Sequence, residues 1–186
     1  DFYQEWYGVN NATLVIAGDF ESKDVKNWVE KYFGELAPRG EIKKLPPMPV
    51  VLETSKSFYH EDNFAQLPEL TLTFPSIEQY HKDAYALDLL AELLVDGKNS
   101  PLYSSVVVAD KLAPNVRAYN HSGEIAGTFR ISVRAFPGTP LDKVKTSIEQ
   151  ALTQVENNGI TEQMLARIKT QRESQFYREL TSVFNK

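Results

Sequence analysis

Apolar residues recur along this chain with two different periods. Between Asp83 and Val95, the residues Tyr85, Leu87, Leu90, Leu93 and Leu94 fall near every 3.6 positions with small or charged residues between them, which predicts a helix pressed against a core. Gly97 closes it. Ser100-Pro101 then predicts a short helix to about Lys111, with Ser as cap and Pro at the first position, where its missing amide hydrogen costs nothing. Val25, Trp28, Val29, Tyr32 and Phe33 predict another helix from Glu21-Ser22 to Gly34, and Thr139-Pro140-Leu141-Asp142 opens a longer one that Asn157-Asn158-Gly159 ends. Thr161 caps a last amphipathic stretch that reaches Phe184.

The second period is two. Glu69 to Phe74, Thr128 to Ala135, Lys56 to Glu61 and Val116 to His121 alternate or cluster as strands do, and Ala12 to Ala17 is a short apolar, β-branched run between Asn10-Asn11 and Gly18-Asp19 that predicts a buried strand. Four prolines with Arg39-Gly40 mark Pro38 to Pro49 as an extended linker. The expected division is therefore a helix-strand-helix arm over 1–37, a Pro-rich linker over 38–54 and a main domain over 55–186. Strands in pairs alternating with helices in pairs point to an α+β, two-layer sandwich, with a mostly antiparallel sheet carrying helices on one face. The opening has no initiator Met and the last helix no stop signal, so the chain reads as a piece of a longer protein, its main domain truncated at the C-terminus.

Composition narrows the chemistry. A net charge of -5 with no cluster of Lys and Arg argues against nucleic acid or an anionic membrane as partner. No apolar run is long enough for a membrane span. There are no cysteines, hence no disulfide or thiolate metal site, and the compartment stays open. His60, His81 and His121 lack a second histidine or acid at ligand spacing, so no metal site and no catalytic residue is assigned to this chain. Arg130, Ser132 and Arg134 share one face of a predicted strand, which fits either a surface for a substrate carboxylate or a solvated strand face.

One group of segments resembles a known family. Phe2-Tyr3-x-x-Trp6-Tyr7-x-x-Asn10-Asn11-Ala12-Thr13-Leu14-Val15-Ile16-Ala17-Gly18-Asp19-Phe20, then Lys31-Tyr32-Phe33-Gly34, the turn Asp96 to Tyr103, Gly127-Thr128-Phe129 and Pro137-Gly138 are similar, in order and spacing, to the pitrilysin, insulin-degrading enzyme and mitochondrial processing peptidase family of inverzincin zinc metallopeptidases. The resemblance implies the LuxS and processing-peptidase type of metallohydrolase fold, in which repeated α+β domains close around unfolded peptides. It places the zinc in a preceding domain, on a His-x-x-Glu-His helix and a later Glu that this chain does not contain. It also places an Arg and Tyr pair of a competent fourth domain at positions held here by Val107 and Pro114, which supply neither group.

The chain is thus expected to be a non-catalytic domain of a zinc endopeptidase, forming part of the chamber that confines peptide beside a metal held elsewhere. Its expected partners are the preceding zinc-binding domain, a second half or partner subunit, and peptide substrates. Asn99, Ser100 and Tyr103 of the turn, with Arg130, Ser132 and Arg134 of the strand, are the expected chamber-facing residues. The alternatives are a domain of a catalytically dead member serving peptide binding or assembly, and a free-standing α+β interaction module. The way such long peptidases are deployed leans toward a bacterial periplasm or cell envelope.

Overall fold

The computed structural model describes residues 1–42 and 44–182. Lys43 of the Pro-rich stretch, and Val183 and Phe184 of the expected last helix, lie outside the described residues. The chain divides into two compact units, Asp1–Pro46 and Pro47–Lys186.

The larger unit is built on three strands, β1 (Glu69–Ser76), β2 (Arg117–Ser122) and β3 (Gly127–Arg134). They form an antiparallel sheet in the order β1-β3-β2, so the strand latest in sequence is central. Around the sheet run α3 (Ala84–Val95), a π-helical segment (Tyr103–Ala109), α4 (Leu141–Asn158) and α5 (Glu162–Glu179). This is an α+β fold of two layers. Phe129, Ile131 and Val133 of β3 form one buried cluster with Ala91 and Leu94 of α3, Val106 of the π segment, and Val144, Ile148 and Ala151 of α4. Alternation along β3 is strict: the odd positions from Gly127 to Val133 are buried and the even ones are half-buried or exposed.

The turn chemistry places the helices. Gly97, with φ +86, ends α3 in a conformation that a side chain would strain. Gly159, at φ +70, ends α4. The Thr161 hydroxyl accepts from the Met164 amide at 3.2 Å and starts α5 as expected. Two expected caps act differently. The N-cap of α4 is Pro140, one residue later than expected, with no side-chain hydrogen bond. Ser100 donates its hydroxyl to the Gly97 carbonyl at 2.8 Å and so pins the turn, where a capping side chain would accept. Beyond Pro101 the helix widens to π, with the Asp110 amide bonding the Ser105 carbonyl at 2.9 Å. The run Val106-Val107-Val108, crowded in an α-helix, tolerates the wider turn.

The strand expected at Lys56 to Glu61 does not form. It lies in no ladder, and Phe58 is 90% exposed. The Asp62 carboxylate takes the Phe64 amide at 2.8 Å in a local turn, and β1 pairs with β3, so no hairpin joins the two segments.

α5 is held to α3 by polar groups as well as packing. Arg172 meets the Glu92 carboxylate in a fork, with Nε at 2.9 and 3.0 Å from its two oxygens and Nη2 at 2.8 Å. Gln171 donates to the Asp96 carboxylate at 3.0 Å and Arg167 to the Asp96 carbonyl. The hydrogen bond to Glu92 raises the Arg172 pKa against the opposing effect of burial. A raised cation pKa gives stability that is complete below its ordinary range and lost only in strong alkali.

The smaller unit holds α1 (Phe2–Trp6), a 3-10 turn (Val9–Asn11) and α2 (Ser22–Phe33). Asn10 ties its ends together, donating to the carbonyls of Arg39 and Gly40 at 3.1 and 3.0 Å and accepting from the Arg39 amide at 3.0 Å. The opening aromatics pack on one another, Tyr3 against Tyr7 at 5.2 Å, yet Phe2, Tyr3 and Tyr7 remain exposed. The buried strand expected at Ala12 to Ala17 is absent: the segment is in no ladder and Val15 is 81% exposed. A strand needs a neighbour to take its amides and carbonyls, and the described residues of this unit offer none.

Replacing Ile131 by Ala empties the middle of the buried cluster and is expected to cost about 2–5 kcal/mol, read as a lower denaturant midpoint at unchanged slope.

Candidate functional site

The helices cover one face of the sheet; the other is open. Register fixes which side chains stand on it. Glu69 pairs with Arg134, Thr71 with Ser132, Thr73 with Arg130 and Pro75 with Thr128 on one side of β3. Arg117 pairs with Ser132, Tyr119 with Arg130 and His121 with Thr128 on the other. Because neighbours along a strand point to opposite faces, these residues all stand opposite Phe129, Ile131 and Val133. The result is a platform of hydroxyls and guanidinium groups. Thr71, Thr73, Arg117, Tyr119, His121, Arg130 and Arg134 are exposed and Ser132 is half-buried.

Charge on the platform is uneven. Arg134 reaches the Glu69 carboxylate through Nε at 3.0 Å and Nη2 at 2.9 Å, which neutralises that corner. Among the described residues, no carboxylate lies within ion-pair distance of Arg117 or Arg130. They are diagonal neighbours across β2 and β3, on a chain whose net charge is negative.

Of the residues singled out from the sequence, Arg130, Ser132 and Arg134 come together here. The turn residues do not join them. Ser100 is fully buried and spends its hydroxyl on Gly97, Tyr103 is half-buried and packs against the core cluster, and Asn99 is exposed at the tip of the turn. Sequence reasoning missed Thr71, Thr73, Arg117, Tyr119 and His121. Their alternation with Leu70, Leu72, Ala118 and Asn120 was visible, but which strand they flank is a matter of register.

At the far end of the sheet, on the covered side, Ser76 donates to Asn120 at 2.6 Å and Asn120 to Ser122 at 3.1 Å. Gly127 lies between them in the ladder, and a Cβ there would stand 2.2 Å from the Ile77 carbonyl oxygen.

An open groove of about 1290 Å³ runs beside β1, between the Phe58 to Thr71 stretch and the start of α4, and contains His60, Glu61 and Asp62. Among the described residues, no group of three or more His, Asp or Glu side chains could hold a metal ion. The His81 ring takes the Asp83 amide at 3.2 Å and lies near its carboxylate, and His121 stands on the open face. The donor set of the described residues does not fit zinc. Among the described residues no helix is long and apolar enough to cross a membrane.

Fold and face together define a class: a two-layer α+β domain with helices on one side of an antiparallel sheet and a polar, arginine-bearing surface on the other. Residues 1–172 match the family described as the peptidase M16 inactive domain, and the chain belongs to that family. It is 26% identical over 186 residues to the zinc protease PqqE of Helicobacter pylori, covering 97% of this chain and 41% of that protein. It is 25% identical over 193 residues to YmxG of Bacillus subtilis, an uncharacterized zinc protease, covering 100% of this chain and 44% of that protein. The crystal structure of a protease from Helicobacter pylori superposes with a TM-score of 0.76 at 26% identity, over 99% of this chain and 45% of that one. The chain spans less than half the length of these relatives.

Gly97→Ala is expected to cost roughly 1–2 kcal/mol, because a side chain is strained at this backbone angle and its Cβ would stand 2.6 Å from Arg167 Nη1. Arg134→Ala is expected to cost less than about 1 kcal/mol, since its ion pair is solvent-exposed. Thermal unfolding of both variants checks the contrast.

Proposed function

We propose that this domain is a non-catalytic wall of a zinc endopeptidase, lining a chamber that confines and orients peptide beside a metal held by another domain. One observation carries the reading: the sheet has one face sealed by helices and the other left as an open platform of hydroxyls and guanidinium groups. A peptide backbone presents carbonyls and amides at strand spacing, and such a surface offers hydrogen bonds to it without a fixed sequence demand. Holding a flexible substrate near a reactive centre removes much of the entropic cost of reaction, which a wall provides with no catalytic group of its own. The family match and the relatives named zinc proteases support the zinc in the full-length protein. The turn from Asn99 to Tyr103 belongs to this proposal only as a contact with a neighbouring domain, through Asn99 at its tip.

The arm, residues 1–37, is proposed to belong to the junction with the preceding domain. Leu14, Val15 and Ile16 are exposed, and Gly8 is the one buried residue among the described positions of 1–46. So small a unit gains little from its own burial, and its β-branched run has the composition of a strand awaiting a neighbour.

In the full-length protease, Ser132→Trp is expected to raise KM for peptides with little change in kcat, because it obstructs binding without touching the metal. Unchanged peptide kinetics and affinity would refute the wall. Amides 13–17 are expected to be protected from hydrogen exchange in the full-length protein and to exchange freely in the present chain. The chain by itself is expected to contain no stoichiometric zinc by elemental analysis and to cleave no peptide.

A further inference from the structure

We infer that the open sheet face selects peptides carrying acidic side chains, with Arg117 and Arg130 as the residues that read them. The inference rests on the peptide-wall reading and adds the substrate class. Three arginines stand on this face, on a chain with a net charge of -5. Arg134 is already neutralised by Glu69, at 2.9 Å. Arg117 and Arg130 are not: within the described residues neither has a carboxylate within ion-pair distance, although both are exposed on adjacent strands.

Their spacing makes the point sharper. Arg117 faces Ser132 and Arg130 faces Tyr119, so the two cations are diagonal cross-strand neighbours, roughly 7–8 Å apart at their Cα atoms, within reach of one another's long side chains. Like charges held this way repel, and among the described residues no carboxylate of the face lies within ion-pair distance of either. A carboxylate between them would. Guanidinium is the group whose planar fork accepts both oxygens of a carboxylate, and it keeps its charge at every working pH. Thr71 and Thr73 on one flank and Tyr119 on the other add hydroxyl donors of the same polarity. An extended peptide laid along the strands places alternate side chains downward at about the two-residue spacing that separates the cationic rows. Glu and Asp at such positions match the surface; Lys and Arg there meet repulsion, which makes the selection two-sided.

The test uses the full-length protease and a pair of fluorescent, C-terminally amidated peptides that differ only in Glu against Gln at alternate positions. Amidation removes the terminal carboxylate as a competing anion, and a third peptide, the Gln sequence with a free C-terminus, measures that contribution. The wild type is expected to prefer the Glu peptide by about tenfold in Kd, with the preference shrinking as salt is raised. In the Arg117→Gln/Arg130→Gln double variant the preference should vanish, the Glu and Gln peptides binding with equal affinity whatever the overall affinity becomes. The Arg117→Lys/Arg130→Lys variant should retain part of it, which separates lost charge from lost folding. If Glu and Gln peptides bind wild type equally, if the preference survives the double variant, or if the variant weakens only the free C-terminus peptide, acidic selection is wrong. Ser132→Trp then decides the fate of the underlying reading: loss of affinity for every peptide leaves the wall standing, and no loss removes both.

Discussion

Burial of one side of β3 is the constraint on which the rest of this domain hangs. β3 is the central strand, so Phe129, Ile131 and Val133 must each be covered by something other than a neighbouring strand. The helices supply the cover with Ala91 and Leu94, Val106, and Val144 and Ile148. Taking these side chains out of water is the dominant favourable term available to a chain without disulfides. Since side chains alternate across a strand, the same burial forces Thr128, Arg130, Ser132 and Arg134 to the opposite side. The polar platform and the core are one decision seen from two faces. A register slip of one residue in β3 would bury Arg130 and Arg134 and expose the core, so the register is strongly held.

The helical layer is kept in place by a separate set of contacts centred on the end of α3. Glu92 takes the fork of Arg172, and Asp96 offers its carbonyl to Arg167 and its carboxylate to Gln171. Gly97 turns the chain at φ +86 directly under Arg167, and Ser100 closes the turn onto the Gly97 carbonyl. The polar turn is thus consumed by architecture: its hydroxyl and its backbone serve the α3 to α5 packing, and Asn99 is what remains at the surface. At Ser100 the partner of that polarity is the Gly97 carbonyl.

The two units differ in what they bury. Residues 47–186 contain a cluster that draws on every element of the sheet and three helical segments. In residues 1–46, order comes from Asn10 clamping the Arg39-Gly40 backbone, Arg39 lying over the Tyr3 ring at 5.4 Å and the aromatic contacts of α1, which are surface interactions. Apolar residues such as Trp28, Tyr32 and Phe33 of α2 stay exposed. The proposed assignment of this arm to a domain junction and the proposed wall role of the sheet share one physical premise: a surface with chemistry but no internal partner is completed by something outside the chain.

What the amino acids determined alone was local. Helical periodicity located α2, α3, α4 and α5 to within a residue or two at the ends that caps and glycines mark, and alternation located β1, β2 and β3, because these signals depend on neighbours three or four positions away at most. The α+β class followed from their order, and the family from motifs spread along the chain. Two strand signals failed, at Ala12 to Ala17 and Lys56 to Glu61, since an apolar run becomes a strand only when another backbone takes its hydrogen bonds. The platform likewise waited on tertiary structure. Arg130 and Arg134 stood out as strand neighbours, but Arg117 lies at the start of the preceding strand, and only antiparallel pairing set it beside Ser132. Whether an arginine is spent, as Arg134 is on Glu69 across 65 residues, or left without a carboxylate, as Arg117 and Arg130 are among the described residues, is decided by contacts between strands, and no local pattern encodes those.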